Sequence, residues 1–261
     1  MKKRILNLKM LVFIASAVFF TACPEGGSEG NPDGSGTVKL LKAITDNDGW
    51  SQEYVYDSQN RITKISEYEN GKLDETRTLS YKGNDLVKIV YVDVNNPQYN
   101  STIEITTNGN KITCSTDESN CTVDLNSDGF PVKYEEVYDN GDSWSEIYQY
   151  QSGNLSKYSI KDIYNGKTDE WNYTYKYDKQ TSPFYHCNTP KWFMFWWFDC
   201  RAGKNNVTDE TRNNETRNTS SKTTFTYTYD KDGFPTSYTE TYEGSSGSTS
   251  EYEYELTYIK K

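Results

Sequence analysis

From about residue 37 the chain alternates between large apolar and polar side chains. Tyr173, Tyr175 and Tyr177 stand two apart with Thr and Lys between them, and Tyr227 and Tyr229 repeat the pattern. A period of two sends alternate side chains to opposite faces of a strand, and aromatic and β-branched residues suit that setting. The alternating runs come in pairs around polar turns. They read YVYDSQNRITKI from Tyr54, LSYKGNDLVKI from Leu79, YQYQSGNLSKY from Tyr148, YKYDKQTSPFY from Tyr175 and YTYDKDGFPTSY from Tyr227. Weaker copies are ITTNGNKITC from Ile105 and VDLNSDGFPVKY from Val123.

The residues preceding each turn are Tyr56, Tyr81, Thr107, Leu125, Tyr150, Tyr177 and Tyr229, spaced by 25, 26, 18, 25, 27 and 52. The last interval is two periods, so one repeat has given way to an insertion at about 180–222. Between the units lie Asn70-Gly71, Asn140-Gly141 and Asn165-Gly166, pairs that supply the positive φ angles of tight hairpins. The pattern predicts an all-β domain over 37–261, an antiparallel meander of about 14 strands built from hairpin repeats of about 25 residues. It would curve into an open or partly closed barrel-like sheet with a Tyr-lined core face. No segment beyond residue 22 shows a helical period.

One stretch breaks the alternation. In PKWFMFWWFDC, Pro190 to Cys200, aromatics fill both faces, and the seven residues Trp192 to Phe198 are too few to cross a bilayer. The segment reads first as a plug for the Tyr-lined sheet. As a ligand platform it would use Trp192, Trp196 and Trp197, with Tyr185 beside them.

The first 22 residues form a processing segment: Lys2, Lys3 and Arg4 precede an apolar run from Leu11 to Phe20. Ala22-Cys23 resembles a bacterial lipobox, which makes Cys23 the lipidation site, and residues 23–36 form a Gly/Ser/Pro/acidic tether. Lipoprotein sorting by resemblance places Pro24 after the cysteine with outer-membrane anchoring, on either leaflet. The formal charge is −10, and the removed segment carries four of the basic side chains and none of the acidic ones. Such acidity excludes nucleic acid as a partner.

Cys114, Cys121, Cys187 and Cys200 remain, an even count that reads as two disulfides in an oxidising compartment. Three connectivities are open, and proximity favours 114–121 and 187–200. Asp124 to Glu135 matches a calcium-loop spacing, but the parallel turn at Thr228 to Thr239 has Thr at the first and last ligand positions. Hairpin geometry therefore accounts for the motif, and no metal or cofactor is expected. The one histidine, His186, adjoins Cys187. No residue set marks a catalytic centre.

The Y-x-Y-D units resemble the YD repeats of Rhs-type proteins, and more closely a group of Bacteroidota lipoproteins of unknown function with degenerate repeats. Pro183, Phe184, Asn205 and Asn206 match positions of the insertion common there. The resemblance brings no catalytic residues. The expected function is non-catalytic binding of a glycan, peptide or apolar ligand by an outer-membrane lipoprotein. A structural role beside an envelope protein partner is the alternative.

Overall fold

The computed structural model describes residues 38–116 and 119–261. The leader 1–22, Cys23 and the tether 23–36 lie outside the described residues. Sixteen strands are found among the described residues. The first eight are β1 (Lys39–Asp46), β2 (Trp50–Tyr56), β3 (Ile62–Glu69), β4 (Lys72–Lys82), β5 (Asp85–Asp93), β6 (Ser101–Asn108), β7 (Lys111–Ser115) and β8 (Ser119–Leu125). The others are β9 (Pro131–Tyr138), β10 (Ser143–Gln151), β11 (Asn154–Tyr164), β12 (Lys167–Thr181), β13 (Asn205–Asn214), β14 (Thr219–Tyr229), β15 (Pro235–Glu243) and β16 (Thr249–Lys260). Each pairs antiparallel with its sequence neighbours, and β1 pairs with β16, so the meander closes into a barrel. Closure leaves no free sheet edge among the described strands.

The Y-x-Y-D motif has a double purpose. A tyrosine near the end of several strands, the last one of the motif in the case of Tyr177, turns inward and donates its phenol to a carbonyl near the start of an adjacent hairpin arm, while Tyr229 donates to the Asp178 carboxylate. Tyr81 reaches Ile62 O at 2.7 Å, Tyr150 reaches Pro131 O at 2.8 Å, Tyr177 reaches Leu155 O at 2.7 Å and Tyr258 reaches Pro235 O at 2.8 Å. Each ring is thereby buried while its hydroxyl stays satisfied. The acid that follows caps the turn. Asp57 Oδ1 accepts from the amides of Gln59 and Arg61, and Asp230 Oδ1 from those of Asp232 and Phe234. Asn126 makes the same pair of bonds with Asp128 and Phe130. The calcium-like spacing is thus turn chemistry, while Asp124 and Glu135 lie beside Lys111 and Lys133 on the outer wall.

Outward positions are polar. Along β16, Glu251, Glu253, Glu255 and Thr257 are exposed while Tyr252 and Leu256 are buried. Exposed large apolar side chains such as Val55, Val137 and Ile147 are scattered. The described wall therefore does not carry the continuous apolar band of a bilayer-spanning barrel.

The irregular insertion runs from 182 to 204, shorter than the predicted stretch, because 205–214 forms β13. Its aromatic segment is an α-helix, α1 (Lys191–Phe198), where the sequence predicted none. Pro190 O starts it by accepting from the amides of Phe193 and Met194, and Asp199 ends it at a φ of 48°. Trp192 through Trp196 are all buried, so α1 has no polar face and no amphipathic signature.

Candidate functional site

α1 lies inside the barrel. Phe195 packs against Phe130 and Tyr150 at centroid distances of 5.3 and 5.0 Å, and Trp196 stacks on Tyr134. Phe184 and Phe198 close on Tyr54 of β2. Arg77 of β4 places its guanidinium 4.5 Å from the Trp197 ring, with Glu67 and Glu75 paired to it from below. The insertion caps one mouth through backbone bonds, from Asn188 N to Asn60 O and from Lys204 N to Gly153 O.

Burial decides the fate of the residues singled out from sequence. Trp192 and Trp196 are each 5% exposed, so neither ring forms a surface platform. Trp197 is half-buried and engaged by Arg77, and only Tyr185 is exposed, outside the lumen group. The Cys114–Cys121 disulfide is present and joins directly opposed residues of β7 and β8. β7 has five residues, the shortest strand described, and the bridge clamps its hairpin. The second expected bridge is not formed: Cys187 and Cys200 are free thiols. Cys187 turns its sulfur to Thr189 and Met194, whereas Cys200 lies buried in the 3-10 turn that follows α1.

The lumen is filled unevenly. On the β3–β9 side α1 meets aliphatic wall, and a cavity lined by Cys114, Ser119, Tyr134, Glu136 and Trp196 measures about 10 Å³, room for about one water. Across the barrel, the 3-10 turn Asp199–Ala202 carries Arg201 toward β15, where its Nη2 donates to Glu240 Oε2 at 3.2 Å. Glu240 is mid-wall, opposed to Phe225 and Tyr252. Although its partner stands so deep in the barrel wall, 48% of the Arg201 side chain is accessible. A side chain can be central and wet only if it borders open volume.

Two tyrosine ladders and a charged strand form that chamber. One ladder is Tyr158, Tyr173 and Tyr175, with rings 5.4 and 6.4 Å apart. The other is Tyr227, Tyr238 and Tyr254, at 5.4 and 4.5 Å. Between them β13 sets Glu210 opposite Tyr175 and Arg212 opposite Tyr173. Burial pushes the Glu210 carboxyl up to about 7, with Arg201 opposing and Glu240 and Asp199 reinforcing the shift. Burial likewise raises the phenols of both ladders, which stay protonated donors. The sequence marks the ladders by their period. Nothing in NNVTDETRNN marks Glu210 and Arg212 as inward, since that strand lacks an aromatic.

No protein-family profile matches the chain, and no curated protein is similar to it. Among solved structures, a porin-like protein from Bacteroides uniformis is 14% identical, with 86% of this chain and 96% of that one covered and a TM-score of 0.37. A porin-like protein from Bacteroides vulgatus is 11% identical over 85% and 99% of the two chains, with a TM-score of 0.40. The TcdB2–TccC3–Cdc42 structure is 12% identical over 76% of this chain and 10% of that one, with a TM-score of 0.35. At such distances the fold and the site rest on this chain's own geometry.

Proposed function

We propose that this chain is a non-catalytic binding barrel, anchored to the outer membrane through a lipid on Cys23. It would hold a glycan, peptide or apolar ligand in the tyrosine-lined chamber. The half-accessible Arg201, set among inner-wall tyrosines, carries the reading: the protein keeps a polar, aromatic space open beside a helix that fills the rest. Val38 exchanges hydrogen bonds with Lys261 at the mouth capped by the insertion. A tether leaving Val38 would therefore start at the capped mouth, at the opposite end of the barrel from Trp144 and Trp171.

A screen of glycans, peptides and fatty acids by melting shift tests this reading on the full chain. A compound that raises the wild-type melting temperature and leaves Arg201→Met unmoved supports it. No response from any class, with co-purification in an envelope complex, would replace it with the structural role.

A further inference from the structure

We infer that the chamber takes an uncharged carbohydrate, clasped between Tyr173/Tyr175 and Tyr227/Tyr254 with its hydroxyls read by Arg201, Glu240, Glu210 and Arg212. This rests on the lumenal binding reading and narrows it. The Glu210 carboxyl feels the charges of Arg201, Glu240 and Arg212, so a fully apolar ligand among them would strip water from ions and return nothing to them. An anionic ligand would approach Arg201, already paired to Glu240, but also Glu210 and Asp199, whose charges reinforce one another there. A cationic ligand would meet Arg201 and Arg212. A neutral polyol alone uses donors and acceptors together, because each hydroxyl is one donor and two acceptors.

The walls agree with the polar groups. Sugar rings have C–H faces that lie on aromatic rings, and Tyr173, Tyr175, Tyr227 and Tyr254 are half-buried rather than sealed. Their phenols stay protonated and add donors at the rim of each ring. Glu210, with its carboxyl near 7, can donate or accept at neutral pH. Access is from the mouth opposite the insertion, where Trp144 and Trp171 stand with ring centroids 6.4 Å apart.

Titration calorimetry of the full chain against maltohexaose, cellohexaose and mannohexaose tests the inference. Hexagalacturonate, a chitosan hexamer, a hexapeptide mixture and decanoate are run beside them. The expected result is binding of a neutral hexaose, weakened about tenfold or more by Tyr227→Ala and by the near-isosteric Glu240→Gln, a factor of ten being one step of affinity. Ile147→Thr on the outer wall should leave it unchanged, and melting temperatures establish that each variant is folded. Tighter binding of a charged oligosaccharide, or equal binding by Tyr227→Ala, overturns the inference. Peptide or decanoate binding lost in Arg201→Met overturns the carbohydrate but keeps lumenal binding; silence from every probe overturns both.

Discussion

Between β3 and β9 the inner wall is mainly aliphatic, with Ile65, Leu79, Ile89, Ile103, Ile112 and Val123 all buried beside Tyr91 and Tyr134. From β11 to β16 the corresponding positions carry Tyr158, Tyr173, Tyr175, Tyr227, Tyr238 and Tyr254. The same hairpin unit builds both halves, yet α1 packs one down to a cavity of about 10 Å³, while in the other Arg201 keeps 48% of its side chain accessible. The difference follows from the tip of the side chain. Methyl groups close around indole and phenyl rings and leave few polar atoms to satisfy, among them the Tyr134 phenol, which donates to Glu136, whereas a wall of phenols needs partners or water for every hydroxyl. A filled half can anchor the plug; a tyrosine half can keep space beside it.

The largest test of this contrast is Arg77→Met. The side chain is 3% exposed, and its loss would leave Glu67 and Glu75 facing each other under Trp197. Removing one partner from a buried ion pair costs about 3–5 kcal/mol, readable by chemical denaturation. Phe195→Ala should cost about 3–5 kcal/mol as a buried aromatic truncation. Tyr227→Ala in the wet half should cost only about 1 kcal/mol, since its ring is half-buried. Equal losses at the two sites would erase the distinction. Replacing Cys114 and Cys121 together by Ser should lower stability by about 2.5 kcal/mol, the loop-entropy value for so short a closed loop.

A further expected effect is a slope. Glu210 titrates at about 7 in the folded protein against an ordinary 4.5, so the folded state keeps a proton that the unfolded state has released. Stability should therefore decline as pH rises between those two values. Glu210→Gln should flatten the decline, measured as melting temperature against pH. An unchanged profile would place Glu210 outside the buried set.

Much of the ring was legible in the chain. Period two, the Asn-Gly pairs and the Tyr anchors prescribe hairpins in series, and proximity names the Cys114–Cys121 bridge. Closure was not legible, because pairing of β1 with β16 depends on the count and curvature of strands rather than on any local residue. The strand number, predicted as about 14, was low by two against the sixteen found. α1 hid for a physical reason: a helix apolar on every side has no 3.6-residue contrast to detect. The same full burial moves Trp192 and Trp196 from binding candidates to plug, and the Cys187 sulfur faces Thr189 and Met194 rather than Cys200. Arg201 and Glu240 read as ordinary polar residues, since only the ring brings them together.

The pairing of β1 with β16 has a kinetic consequence. Every other strand contact joins sequence neighbours, so hairpins can form as soon as their residues are available, while this one contact must wait for the whole chain. The seam is the expected bottleneck of assembly, and a half-made ring would meanwhile expose its aliphatic arc. Linking the paired ends at Val38 and Lys261 and opening the chain at Gly244–Gly247 would turn the slow seam into a fast hairpin and shift the delay to β15 and β16. A barrel whose strands follow one another around a circle has no intrinsic first strand, only a last contact.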